Sequence, residues 1–179
     1  MVRTRVGYAG GSTAAPTYHG LGDHSEAIEI GFDPAEISYT GLLNSFWEQH
    51  IPRHPSYSRQ YRSAVFYANS AQRDQAVAAK ERIEHSLGGE LYTAIEAAGV
   101  FTPAEDYHQK YYLQHNPRLM ELLLPLFPNR QALFDSTLAA RLNAFLGGNP
   151  NQELVFQACN QAGFPPQVIE EIDLILRHR

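Results

Sequence analysis

Apolar and polar positions alternate along the first hundred residues in two rhythms, one of period two and one of period three to four. "TRVGYAG" closes on Gly10-Gly11 and predicts a short strand. "SEAIEIGFDP" alternates so that Glu26, Ile28, Ile30 and Phe32 share one strand face before Asp33-Pro34 turns the chain. Leu42, Leu43, Phe46, Trp47 and His50 then recur at helical spacing. Ser38 is placed as N-cap, Ile37 is placed to staple onto Leu42, and Pro52 ends the run. "QYRSAVFYA" predicts a third strand, "SAQRDQAVAAKERIEHSLGG" a surface helix stopped by Gly88-Gly89, and "LYTAIEAAG" a shorter fourth strand. Thr102-Pro103-Ala104-Glu105 has the form of a capping box with proline at the first helical position, which predicts a helix running to about Asn116. Strand and helix alternate throughout, the signature of an α/β fold.

The texture changes after Asn116. "LMELLLPLF", "DSTLAARLNAFLGG", "PNQELVFQACNQAGF" and "PQVIEEIDLILRHR" carry helical spacings and glycine stops with no strand alternation. The expected division is therefore an α/β domain over residues 1–116 and a helical extension over 117–179.

Composition narrows the function classes. With 14 Lys and Arg against 19 Asp and Glu, and no basic run, the chain lacks the cationic surface that neutralises phosphates, so nucleic acid is not an expected partner. No apolar stretch approaches the roughly 18 residues of a membrane span, and the first twenty residues lack a signal-peptide apolar region. The reading is a soluble, cytoplasmic protein. Cys159 is the single cysteine, which excludes an internal disulfide and any paired-cysteine redox or zinc motif within these 179 residues.

Several side chains could carry chemistry. Glu26, on the apolar strand face, is either a desolvated carboxyl that stays protonated and donates to a polarised oxygen, or a strand-end glutamate that reaches water. Tyr18 and Tyr61 are either packing tyrosines or hydroxyls turned into the same pocket. His19, His24, His50 and His54 do not make a metal site: Pro52 breaks the spacing between His50 and His54, so they cannot be a helical pair. Phe46 and Trp47 lie on the core stripe of their helix. Cys159, among Val155, Phe156 and Ala158, reads as an inert buried thiol.

Taken in order, "RVGYAGG", "PTY", "GDHSEAIEIGFDP", "ISYTGLLNSFWEQH", "QYRSAVFY" and "AEDYHQKYY" resemble the peptide methionine sulfoxide reductase A family over residues 3 to about 116. The resemblance implies a two-layer plait related to the ferredoxin-like arrangement, and reduction of the S-epimer of methionine sulfoxide, free or in proteins. It implies that Glu26 is the proton donor to the sulfoxide oxygen, that Tyr18 and Tyr61 hydrogen-bond that oxygen, and that His24 neighbours the glutamate. No bound cofactor is implied; an external thiol reductant such as thioredoxin is.

The sequence also departs from the family. The Gly-Cys-Phe-Trp motif that bears the nucleophilic thiolate, upstream of the "VGYAGG" strand in relatives, does not occur in these residues. The expectation is an N-terminally truncated plait, inactive alone, exposing apolar surface that the helical extension or self-association would cover. The alternative is a catalytically silent module that binds methionine sulfoxide or a partner. A third reading brings Cys159 into the Glu26 pocket as a substitute nucleophile. Ser56 stands where many relatives carry an acidic residue, and the tyrosine loop, Tyr18-His19-Gly20-Leu21-Gly22, lacks a resolving cysteine.

Overall fold

A computed structural model of the chain describes residues 3–49 and 53–178. Among these residues five strands and eight α-helices follow one another as β1 Arg3–Ala9, β2 Ser25–Gly31, α1 Tyr39–Gln49, β3 Ala64–Tyr67, α2 Ser70–Leu87, β4 Ala94–Ala97, β5 Thr102–Pro103, α3 Tyr111–Gln114, α4 Pro117–Leu123, α5 Arg130–Phe134, α6 Thr137–Leu146, α7 Glu153–Gln161 and α8 Pro166–Arg177. They form two compact units, one of Val6–Glu105 and one of Asp106 onward together with the residues up to Arg5. The expected ends of α1 at His50 and Pro52 lie outside the described residues. Among the described residues no helix is long and apolar enough to cross a membrane.

The α/β unit has the strand-helix alternation expected of it. β2, β1 and β5 hydrogen-bond in that order, with Tyr8 opposite Thr102 in an antiparallel β1–β5 pair. β3 and β4 form a separate parallel pair, Val65 facing Ile95. Leu43 and Trp47 of α1 and Ala76 and Ala79 of α2 pack with Val65 and Leu91 into a core on that pair, partly buried Phe46 included. Both helix starts are capped by side chains that accept orphan backbone N–H groups: Ser38 Oγ from Gly41 at 3.0 Å and Asn69 Oδ1 from Gln72 at 2.9 Å. α2 ends on Gly88 at φ 65°, the left-handed turn a glycine takes without strain.

The capping box expected at Thr102–Glu105 does not form a helix. Thr102 and Pro103 are the strand β5, a 3-10 turn follows at Asp106–His108, and helix resumes only at α3. The Glu105 side chain, which would have turned back to cap, is drawn elsewhere: its Oε2 accepts from the Tyr8 hydroxyl at 2.6 Å and its Oε1 from the Tyr18 backbone N–H at 3.0 Å. A pairing partner and two long-range donors outweigh a local cap worth about 1 kcal/mol.

The helical unit encloses its own core, with Leu113, Leu123, Leu142, Val155, Cys159 and Ile172 fully buried. Arg5 grips Asp135 with two parallel bonds of 2.8 and 2.6 Å, and that pairing lowers the Asp135 carboxyl to about 2. Lys110 is buried, at a left-handed φ of 50°, and its Nζ donates to Thr4 O at 2.6 Å.

Candidate active site

Glu26 is the second residue of β2, and the loop before β3 holds it. Its backbone N–H donates to Gln60 O at 2.9 Å, so the strand end is pinned to residue 60. Its Oε1 accepts from Gln60 Nε2 at 2.7 Å, and the same amide donates to the Tyr61 hydroxyl at 3.0 Å. Tyr61 in turn hydrogen-bonds Tyr18. That bond is the first cause of a Tyr61 phenol held above its ordinary value, and the charge of Glu26 acts in the same direction. Tyr18 rides at the tip of a tight turn closed by Thr17 and Gly20 through reciprocal backbone bonds of 3.3 and 3.1 Å, its own N–H tied to Glu105. Three residues singled out from sequence, Glu26, Tyr61 and Tyr18, are thus joined in one hydrogen-bonded chain, the first two through the Gln60 amide.

One expectation about this cluster is corrected. Glu26, Ile28 and Ile30 do share a strand face, but it is the open one: Ile28 is 58% exposed and Glu26 itself is exposed. β2 lies at the end of its sheet, and the face that carries Glu26 is open to solvent. Periodicity identifies residues that point the same way; it does not supply the layer that would bury them.

A polar framework fixes the backbone behind the acid. Asp23 accepts from the N–H groups and the hydroxyls of Ser12 and Thr13 at 2.7–2.9 Å, and these donors hold its carboxyl far below the usual range. Gly22, at φ 61°, leaves room there only for hydrogen: a Cβ would stand 2.2 Å from Thr13 Oγ1. Arg59 donates to Asp23 O at 2.6 Å and Gly10 O at 3.0 Å. Ser25 Oγ donates to Arg59 O at 2.8 Å and accepts from Arg62 Nε at 2.8 Å. Arg62 grips Glu96 of β4 with two bonds of 2.5 and 2.6 Å. His24 is buried, with Nε2 2.9 Å from Thr13 O. Since a carbonyl only accepts, Nε2 carries the hydrogen.

The remaining candidates are placed elsewhere. Cys159 is fully buried in the helical unit, and burial pushes its thiol up to about 11, away from a reactive thiolate. Ser56 folds onto its own turn, donating to Ser58 O at 2.9 Å. Among the described residues no group of three or more His, Cys, Asp or Glu is placed to hold a metal. Sequence reading passed over Gln60 although it lies beside Tyr61 in the quoted "QYRS" block; the signal was the adjacency of an uncharged donor to a candidate hydroxyl.

Comparison with known proteins identifies relatives of this chain. The family described as peptide methionine sulfoxide reductase matches residues 1–138. Peptide methionine sulfoxide reductase A5 of Oryza sativa subsp. japonica is 41% identical over 81% of this chain, and the Methanothermobacter thermautotrophicus peptide methionine sulfoxide reductase MsrA is 42% identical over 73%. The chain spans 59% of the rice protein's length and 83% of the archaeal one's. Among solved structures, methionine sulfoxide reductase A of Corynebacterium diphtheriae superposes with a TM-score of 0.55 at 32% identity, over 66% of each chain. The α/β architecture matches that neighbour, and the chain belongs to the peptide methionine sulfoxide reductase family.

Proposed function

We propose that this chain carries the acid half of a site that reduces the S-epimer of methionine sulfoxide, with Glu26 donating the proton and Tyr18 and Tyr61 holding the sulfoxide oxygen. The hydrogen-bonded chain from Glu26 through the Gln60 amide to Tyr61 and on to Tyr18 carries the reading. A sulfoxide oxygen that receives a proton becomes a better leaving group, so a thiolate can attack the sulfur. The sulfoxide sulfur gains two electrons and leaves as the thioether, while the thiol loses two and takes the oxygen as a sulfenic acid. Two further thiol equivalents from a dithiol such as thioredoxin then return it to thiol and release water.

The attacking sulfur is the part these 179 residues do not supply, because Cys159 is buried and its thiol sits near 11. The chain by itself is accordingly a methionine sulfoxide-binding module, and turnover needs a thiol brought by a further segment or another molecule. The experiment is an assay of the 179-residue chain with methionine S-sulfoxide and dithiothreitol or thioredoxin, paired with a binding titration. Binding without turnover is expected. Turnover above a no-enzyme control that is lost in Cys159→Ser would overturn the assignment in favour of Cys159. Self-association through the open edge of β2 belongs to the same reading, and sedimentation showing a concentration-independent monomer would exclude it.

A further inference from the structure

We propose that Gln60 is a positioning residue of this site: its single side-chain amide sets the spacing between the Glu26 carboxyl and the Tyr61 hydroxyl and accommodates both protonation states of the acid. Its role rests on the reading of Glu26 as proton donor, whereas the contacts themselves do not.

The geometry is economical in donors. A primary amide has two N–H groups, and here both are used, one on Glu26 Oε1 at 2.7 Å and one on Tyr61 Oη at 3.0 Å. The backbone of the same residue accepts from Glu26 N–H at 2.9 Å, so carboxyl and strand end are referred to one point. Gln60 is held in its turn, with its own N–H donating to Ser58 Oγ at 3.2 Å. Arg59, immediately before it, locks the loop to the carbonyls of Asp23 and Gly10. A glutamine serving only solubility would spend its amide on water.

The chemistry of the amide explains the residue type. An ionised carboxylate only accepts, so Nε2 must face it. When Glu26 carries its proton, a half-turn about the last torsion, which in glutamine is broad and roughly two-fold, brings Oε1 to meet the acid O–H. Lysine could not accept in the second state, and glutamate could not donate in the first. Glutamine meets the carboxyl in either state, and while Glu26 is ionised its second N–H holds the Tyr61 hydroxyl alongside.

The test compares the full chain with its Gln60→Leu and Gln60→Glu variants by three measurements. Site-resolved NMR gives the titration midpoint of the Tyr61 phenol. Loss of the amide donor favours the neutral phenol, so Gln60→Leu should raise that midpoint by about half a unit. Gln60→Glu, of the same shape but negative, should raise it further. Exchange of the Glu26 amide proton should stay slow in both variants, because the backbone carbonyl at residue 60 is retained. Binding of methionine S-sulfoxide should weaken by about three- to tenfold in Gln60→Leu, on the scale of one lost polar contact. An unchanged Tyr61 midpoint in both folded variants overturns the proposal. A midpoint raised in the variants beside a parent chain that binds no sulfoxide keeps the Gln60 contacts and removes the sulfoxide reading, so the two failures are separable. Gln60→Glu, isosteric and in a solvent-reaching loop, keeps the comparison decisive should Gln60→Leu not fold.

Discussion

Lys110 and Cys159 should give the helical unit a stability that rises and then levels as the solution turns alkaline. Burial is the first cause in both: it drops the Lys110 ammonium from 10.5 to about 8 and lifts the Cys159 thiol from 9.0 to about 11. For Lys110 the neighbouring Arg5 adds to the drop while Asp135 opposes it. Between pH 8 and 10.5 the unfolded chain holds a proton at Lys110 that the folded chain has released, so stability climbs with pH, by at most about 1.4 kcal/mol per unit. Between pH 9 and 11 the folded chain holds a proton at Cys159 that the unfolded chain has lost, and stability falls with the same limiting slope. From pH 8 to 9 the lysine leads, its gain of about 1 kcal/mol trimmed by a few tenths as the thiol begins to ionise in the unfolded chain. From pH 9 to 10 the two slopes oppose each other and the curve flattens. Urea unfolding followed by circular dichroism, in half-unit steps from pH 7 to 10, measures this. Lys110→Met should be flat to about pH 8 and decline above it, most steeply past pH 9; Cys159→Ala should keep climbing through pH 10. Equal stability of the parent chain at pH 8 and pH 9, or the same climb in Lys110→Met, would refute the reasoning.

Three further outcomes follow from the α/β unit. Glu105→Ala takes a carboxylate acceptor from the buried Tyr8 hydroxyl and from the Tyr18 N–H, so it should cost about 1–3 kcal/mol in urea unfolding and speed exchange of the Tyr18 amide; exchange left unchanged would show that the turn is held by other means. Gly10→Ala forces a Cβ to within 2.4 Å of the Phe66 ring at a φ of 76°, and a loss of about 2 kcal/mol or more is expected, with a neutral effect ruling out the stated backbone. Glu26→Gln, at an exposed position, should leave the unfolding midpoint within about 0.5 kcal/mol of the parent while cutting turnover on the order of a hundredfold once a thiol-bearing segment is joined to the chain; an undiminished rate would remove the acid role.

The strands and long helices were legible because each follows a local rule: alternation in β2, a capped amphipathic run in α1, a glycine stop after α2. The same rules misread Thr102–Glu105, whose capping residues are spent on β1 and on the turn of Tyr18, partners 87 or more residues away in sequence. Long-range pairing leaves no mark at the position itself. In the site, Glu26, Tyr18 and Tyr61 could be named from the quoted blocks. The openness of the face bearing Glu26 could not, since it depends on what lies over β2, and that is a property of the sheet and not of the strand. Gln60 was hidden for a related reason: its significance lies in the two acceptors its amide reaches, one of them 34 residues earlier.

The chain of contacts from Glu96 through Arg62, Ser25 and Arg59 to Asp23 and the Ser12–Thr13 turn has a consequence for how the site comes apart. Its two guanidinium groups are seated on the Glu96 carboxylate, the Ser25 hydroxyl and the Asp23 and Gly10 carbonyls, with the Phe66 ring beneath Arg62. The guanidinium cation is therefore a direct competitor for every arginine seat in that chain, and urea is not. Low guanidinium chloride should loosen the loop bearing Gln60 and Tyr61 before the core of α1, α2 and β3 yields, whereas urea should release both in one step. The choice of denaturant would then decide whether the site is seen to melt on its own or together with the unit that carries it.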